Sequence, residues 1–261
     1  TLSSSSAASD VYKRQLLSDD FSKIEYSKFS SLEKYVLTQI YDLDLRFRDY
    51  IKSYSFHKIY VELLNFCTLD LSAFYFDIKK DILYCDTEDS KRRKNCLEVL
   101  NILTNFLLKW FSPILAFTAE EAYQVIKNKN SKSIHLQDFS NIPLIWNNSE
   151  VRIKWISIKK IKQVVNAAIE DVRNKKIIGS SLEANVIVYL KNEYLNLIKE
   201  EDLSEIFICS EAKAEIFSNQ NDLFSLKDID GVAVKILKAQ GKKCSRCWKI
   251  LETSCGRDVC G

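Results

Sequence analysis

The residues best suited to chemistry in this chain of 261 residues are four cysteines near its end, Cys244, Cys247, Cys255 and Cys260. Cys244-Ser-Arg-Cys247 is a C-x2-C pair, which places two thiolates on one tight turn where both can reach a single tetrahedral Zn²⁺. A structural zinc site takes four such ligands, usually as two paired turns. Here the second half does not repeat the spacing, because four residues separate Cys255 from Cys260 and Gly261 follows directly. Two completions are open. Either Cys255 and Cys260 both ligate, or Cys260-Gly261 begins a second C-x2-C pair whose last cysteine lies outside this sequence; the recurrence of paired turns favours the latter. A metal-free thiol tail is the bland alternative. A catalytic zinc would want an open position and commonly a histidine or carboxylate ligand. Neither His57 nor His135 is near, so the pattern reads as structural.

Charge gives a weaker second signal. Between Gly241 and Gly261, Lys242, Lys243, Arg246, Lys249 and Arg257 face only Glu252 and Asp258, an excess of three that equals the net +3 of the whole chain. A localised positive excess suits a polyanion, but four thiolates on Zn²⁺ carry a formal charge of about −2 and would cancel most of it. The stretch from Val151 to Ile178 holds eight Lys/Arg against Glu170 and Asp171. At about 100° per residue, Arg152, Lys159, Lys162 and Arg173 share one side of a helix there. Lys91, Arg92, Arg93 and Lys94 form a third basic group. Each run alone is more often a solvated face; three together point to a phosphate-backbone surface. No G-x-G-x-x-G or G-x4-G-K-[ST] loop is present and glycines number only five, so no phosphate-cradling loop is expected.

The elements that must position these residues are mostly helical. Hydrophobic residues make up 46% and charged residues 28%, a globular balance, while the five glycines and two prolines disfavour a turn-rich β fold. Leu32, Val36, Ile40, Leu43, Phe47, Tyr50 and Tyr54 form one helical stripe; Ile59, Leu63 and Phe66 form another; Leu97, Leu100, Leu103, Leu107 and Trp110 a third. Ser112-Pro113 fits an N-cap with proline in the first turn, and Thr118 with Glu121 fits a capping box for a helix from Ala119 to Ile126. A further helix is expected over Val151–Lys176. Asn185–Leu190, Glu205–Cys209 and Val232–Leu237 are short β-branched or aromatic runs that read as strands, with Asp230-Gly231 as the turn before the last. The fold expected is mainly α: a helix bundle, then a small mixed α/β module, then a zinc knuckle. The boundaries are a disordered and in part foreign tail over 1–20, the helical domain over 21–145, the mixed module over 146–240 and the knuckle over 241–261. Cys67, Cys85, Cys96 and Cys209 stand singly among apolar residues and read as buried thiols. The longest apolar stretch, Phe106–Phe117, is too short to span a bilayer, so no membrane partner is expected. The absence of methionine reads as a chain that begins inside a longer protein.

Several motifs resemble those of bacterial isoleucyl-tRNA synthetases. Phe56-His57-Lys58-Ile59-Tyr60, Asn65-Phe66-Cys67, Asp70-Leu71-Ser72-Ala73-Phe74-Tyr75 and Asp77-Ile78-Lys79-Lys80-Asp81 resemble that family's anticodon-binding helices. Pro113 to Glu121 (PILAFTAEE) is similar to a block shared with valyl and leucyl relatives. Ile178 to Ala184 (IGSSLEA) and Cys244-x-Arg246-Cys247-Trp248 narrow the likeness to the isoleucine enzyme. The resemblance implies the anticodon-reading part of a class I enzyme that joins isoleucine to tRNA(Ile) with ATP. It also implies that the catalytic and editing domains lie upstream, so that this piece is inactive alone. The family closes its zinc with a second paired turn, leaving Cys255 a bystander. RNA contacts are expected from Arg92 and Arg93, and from Arg246, Trp248 and Lys249 on the knuckle. A cytoplasmic monomer is implied for the parent. The alternative is a stand-alone zinc-containing nucleic-acid adaptor without a catalytic partner domain.

Overall fold

The computed structural model describes residues 21–127, 132–217 and 223–251. By internal contacts the chain forms two compact units, Thr1–Ala73 with Lys94–Asn148, and Phe74–Arg93 with Ser149–Gly261. Residues 74–93, which helical periodicity alone assigns to the first domain, group with the second unit.

The first unit is helical. Helix α1 (Ser31–Lys52) starts at a capping box in which the Ser30 hydroxyl accepts from Glu33 N–H and the Glu33 carboxylate accepts from Ser30 N–H at 2.8 Å. Its stripe of Val36, Leu37, Ile40 and Phe47 is buried. Helix α2 (Phe56–Asn65) runs into a π-helical stretch, Phe66–Phe76, and then α3 (Asp77–Cys85); from Phe74 onward this run belongs to the second unit. Helix α4 (Lys91–Phe111) contributes Val99, Leu103, Phe106 and Trp110 to the same core. Trp110 lies 5.1 Å from Phe47, 5.3 Å from Phe106 and 6.5 Å from Phe66, and its indole N–H donates to Asp44. Offset and edge-on aromatic pairs of this kind add to burial. Helix α5 (Ala116–Ile126) follows a turn.

That turn corrects one expectation. Ser112 does not cap; its hydroxyl donates back to Lys109 O, and Ile114 and Leu115 amides close on Phe111 O. The helix begins at Ala116, before Thr118, with no side-chain cap. Once proline has been used inside the turn that ends α4, its fixed φ serves that turn and not a new helix start.

In the second unit, α6 (Ser149–Asn174) buries Trp155, Ile158, Ile161, Val165 and Ala168 and packs on strands β1 (Ala184–Leu190) and β3 (Val232–Lys238). The sheet order is β2-β1-β3, with β2 at Glu211–Ile216. Strand β1 pairs parallel with β2 and antiparallel with β3, Ala184 opposite Lys238 and Leu190 opposite Val232. The parallel crossover carries two short helices, α7 (Asn192–Ile198) and α8 (Leu203–Phe207). Asp230-Gly231 turns the chain into β3 as expected: Gly231 has φ +78°, and a Cβ there would meet Lys191 Cδ at 2.6 Å.

Helix α8 replaces the strand expected at Glu205–Cys209. The Asp202 carboxylate accepts from Glu205 N–H at 3.0 Å, capping the turn, and Ile208 ends it in a left-handed conformation. A local cap outweighed the β-branched composition. The strand that forms instead, β2 on one edge of the sheet, is charged and alternating, and composition gave no sign of it. One helical run among the described residues, Phe56–Cys85, is long and apolar enough to match a membrane span by length and composition. Leu63, Phe66 and Leu71 within it are buried, and about 33% of its apolar window is buried in all.

Candidate nucleic-acid interface

The terminal cysteine pair sits on a small hairpin of the second unit. Strands β4 (Lys242–Lys243) and β5 (Ile250–Leu251) pair antiparallel, Lys243 opposite Ile250. Between them the chain folds tightly over Cys244. Its N–H donates to Lys249 O at 2.8 Å, its carbonyl accepts from Trp248 N–H at 3.1 Å, and its sulfur accepts from Arg246 N–H at 3.4 Å. An amide aimed at a sulfur stabilises a thiolate, which is what a metal-binding turn requires. Cys244 is buried and Cys247 half-buried. Among the described residues no group of three metal-ligating side chains comes together; Cys255 and Cys260 lie outside the described residues.

The hairpin is tied to its unit by polar anchors. The Arg246 guanidinium donates to Tyr84 O at 2.8 Å, a carbonyl of the last turn of α3 with no helical partner of its own. Ile250 N–H donates to the Ser210 hydroxyl at 2.7 Å, which in turn donates to Leu182 O. Trp248 stands at the turn with φ +64° and 61% of its surface exposed. A left-handed backbone at a bulky residue costs on the order of 1 kcal/mol, yet it holds this indole out of the core. Lys243 Nζ lies 5.8 Å from the ring centroid, within cation–π range.

The other basic groups are placed differently from one another. Arg92 donates to Glu205 at 2.8 Å while Lys79, itself buried, takes the other carboxylate oxygen at 3.0 Å. Arg93 Nε donates to Leu83 O at 3.2 Å. Of the expected stripe on α6, Lys162 is buried and donates to Ile206 O at 2.6 Å. It therefore cannot meet a phosphate, and burial pulls its ammonium down to about 8, opposed by Asp77 and Cys209. The helical wheel put Lys162 beside the apolar stripe, and α8 covers that edge. Lys159 lies 4.6 Å over the Phe74 ring and Arg173 pairs with Glu170 at 2.5 Å. The expected continuous basic face of α6 is thus broken up by packing.

The single cysteines Cys85, Cys96 and Cys209 are buried and Cys67 is half-buried. Burial pushes the Cys209 thiol up to about 12 against the opposing charges of Lys249 and Lys162, so it stays protonated. Glu205 and Ser210, which anchor Arg92 and the hairpin, carried no motif. The Asp-Leu-Ser-Glu order of 202–205 was the one available sign that a capped helix begins there.

The family described as anticodon-binding domain of tRNA ligase matches residues 33–190. The isoleucine–tRNA ligase of Pelagibacter ubique is 46% identical over 246 residues, covering 92% of this chain and 26% of that protein. Those of Bartonella quintana and Agrobacterium fabrum are 39% and 38% identical over 235 and 244 residues, 90% and 93% of this chain and 24% and 25% of theirs. The chain spans about a quarter of the length of these relatives.

Proposed function

The chain belongs to the anticodon-binding domain family of tRNA ligases, and we propose from that premise that it is the tRNA-reading part of an isoleucine–tRNA ligase. Its relatives of that name extend the likeness past residue 190 over about nine tenths of the chain, which is the observation that carries the isoleucine assignment. In the whole protein the reaction joins isoleucine to tRNA(Ile) with ATP; these residues position the RNA and take no chemical step.

Such a module works by two kinds of contact. Phosphate contacts orient the stem, and unstacked loop bases are read by stacking and by hydrogen bonds to their edges. Trp248 suits the second role, an exposed indole on a fixed turn with Lys243 beside it; base–aromatic stacking contributes ~1–3 kcal/mol per base. Lys249 lies on the same turn, and its carbonyl is held by Cys244 N–H. Arg246 serves first as the tether of the hairpin to α3. Arg92 keeps 57% of its side chain exposed while paired, so it can share its guanidinium with a phosphate; Arg93 is bound to a carbonyl in the same segment.

The residues present fit Zn²⁺: a C-x2-C turn with an amide directed at one sulfur. Cys244 and Cys247 would hold it, with Cys260 and Cys255 the candidates for the remaining positions. Bound there, Zn²⁺ supplies cross-linking of the turn and no catalysis. Chelation is expected to loosen the Trp248 turn and weaken RNA binding.

The deciding experiment is competition binding of the 261-residue chain to a tRNA(Ile) transcript and to the same transcript with a replaced anticodon. At least tenfold preference for the first is expected, and Trp248→Ala should shrink it. Equal affinity for both transcripts would sink the assignment.

A further inference from the structure

An open cleft of about 450 Å³ lies in the second unit, between the end of α6 and the adjoining ends of β1 and β3. Its walls include Arg173, Lys176, Ile177, Gly179, Glu183 and Lys238. None of these is among the RNA contacts assigned above. Three features limit what it can hold. Lys176 and Lys238 are both exposed, and among the described residues neither ammonium has an ion-pair or hydrogen-bond partner. Glu183 gives its Oε2 to Gly179 N–H at 2.9 Å, while Oε1 has no hydrogen-bond partner among the described residues. A Cβ on Gly179 would lie 3.4 Å from that carboxylate, in ordinary van der Waals contact. Ile177, 49% exposed, supplies an apolar shelf.

A bare anion fits this poorly, since Glu183 and Glu170 also line the cleft. An apolar ligand fits worse, with two unpaired ammoniums in the wall. A ligand with an anionic end, a flat apolar face and a hydrogen-donating edge satisfies all three features, and the volume lies within the ~300–1,000 Å³ of small-ligand clefts. A nucleotide is such a ligand. Resting on the tRNA-binding reading above, we propose that this cleft holds one unstacked nucleotide of the bound RNA: its phosphate between Lys176 and Lys238, its base over Ile177, and its amino-bearing edge donating to Glu183. A carboxylate only accepts, so the cleft disfavours uracil, whose one imino donor lies between two carbonyl oxygens that the carboxylate repels, whereas the cytosine amino group stands at the end of its edge with one acceptor beside it. Ile178, Gly179 and Glu183 of this lining belong to the IGSSLEA stretch, and the other residues to the end of α6, the turn after it and β3.

The test uses the 261-residue chain, a tRNA(Ile) transcript, and hexacytidylate and hexauridylate followed by fluorescence anisotropy. Lys176→Ala/Lys238→Ala is expected to weaken transcript binding about tenfold and to lower the salt slope by roughly 0.7, the value for one single-strand phosphate. Lys235→Ala, an exposed lysine on the same strand, should change neither. The wild-type chain should prefer hexacytidylate, and Glu183→Gln, which keeps an acceptor for Gly179 N–H, should erase that preference. A chain that binds the transcript with affinity and slope unmoved by the double substitution overturns the cleft and leaves the tRNA reading standing. A chain that binds no RNA removes both. Binding of AMP that the double substitution abolishes, with RNA binding untouched, would make this a free-nucleotide site and also overturn the proposal.

Discussion

In the first unit the largest buried side chains touch one another: Trp110 meets Phe47, Phe66 and Phe106, while Phe106 and Phe21 meet Trp146. In the second, the ties that fix the functional loops are polar. Lys79 and Arg92 share Glu205, Lys162 reaches Ile206 O, Arg246 reaches Tyr84 O and Ser210 holds Ile250. The two solve different problems. A helical unit gains stability from area, which is non-directional and proportional to the apolar surface removed from water. Short elements, such as the five-residue α8 and the two-residue strands of the hairpin, have little area to bury and are held by directional bonds instead.

Substitutions can break that contrast, beginning with the largest expected effect. Trp110→Ala should cost about 3–5 kcal/mol in urea unfolding, because it opens a cavity among three aromatic rings and leaves Asp44 short of a donor; a loss under 1 kcal/mol would show that the aromatic cluster is not the unit's centre. Lys162→Met sharpens the contrast through pH. The folded ammonium titrates near 8, below its ordinary 10.5, so the folded chain releases this proton first and the unfolded chain binds more protons in between. Wild-type stability should therefore rise with pH across that window, by roughly 2 kcal/mol from pH 7 to 9.5, relative to the substituted chain. Parallel profiles for the two proteins would mean that Lys162 is not buried as described. Glu205→Ala removes the carboxylate that the buried Lys79 and Arg92 share. Breaking a fully buried pair costs ~3–5 kcal/mol; with Glu205 partly exposed, about 2 kcal/mol is expected, read as earlier loss of protection in the α8 amides than in α1. Ser30→Ala removes one half of the α1 capping box and should cost about 1 kcal/mol, measurable as a shift in urea midpoint at unchanged slope.

The contrast also explains what could be read from the sequence. The stripes through Val36, Ile40 and Phe47, and through Trp155, Ile161 and Val165, were legible because burial by area writes a period of three and four into the chain. Strands β1 and β3 and the Asp230-Gly231 turn were legible for similar local reasons. Polar anchors leave no period. Lys162 looked like a member of a basic face, and only α8, itself misread as a strand, shows why it is buried. The same four-residue capping pattern occurs at Ser30-Ser-Leu-Glu33, where the box forms, and at Thr118, where it does not because the turn at Pro113 starts that helix at Ala116. In the candidate interface, the C-x2-C turn followed from spacing, whereas Trp248 came from the family-like motif and its exposure from neither. The roles of Tyr84, Ser210 and Glu205 did not, because their partners are distant in sequence.

Ribonuclease footprinting of a tRNA(Ile) transcript bound to the 261-residue chain is the sharpest test of the proposed reading of the anticodon arm. Protection confined to the anticodon loop and the adjoining stem, reduced by Trp248→Ala, is the expected result. Protection at the acceptor end alone, or a footprint that ignores the anticodon loop, would contradict it.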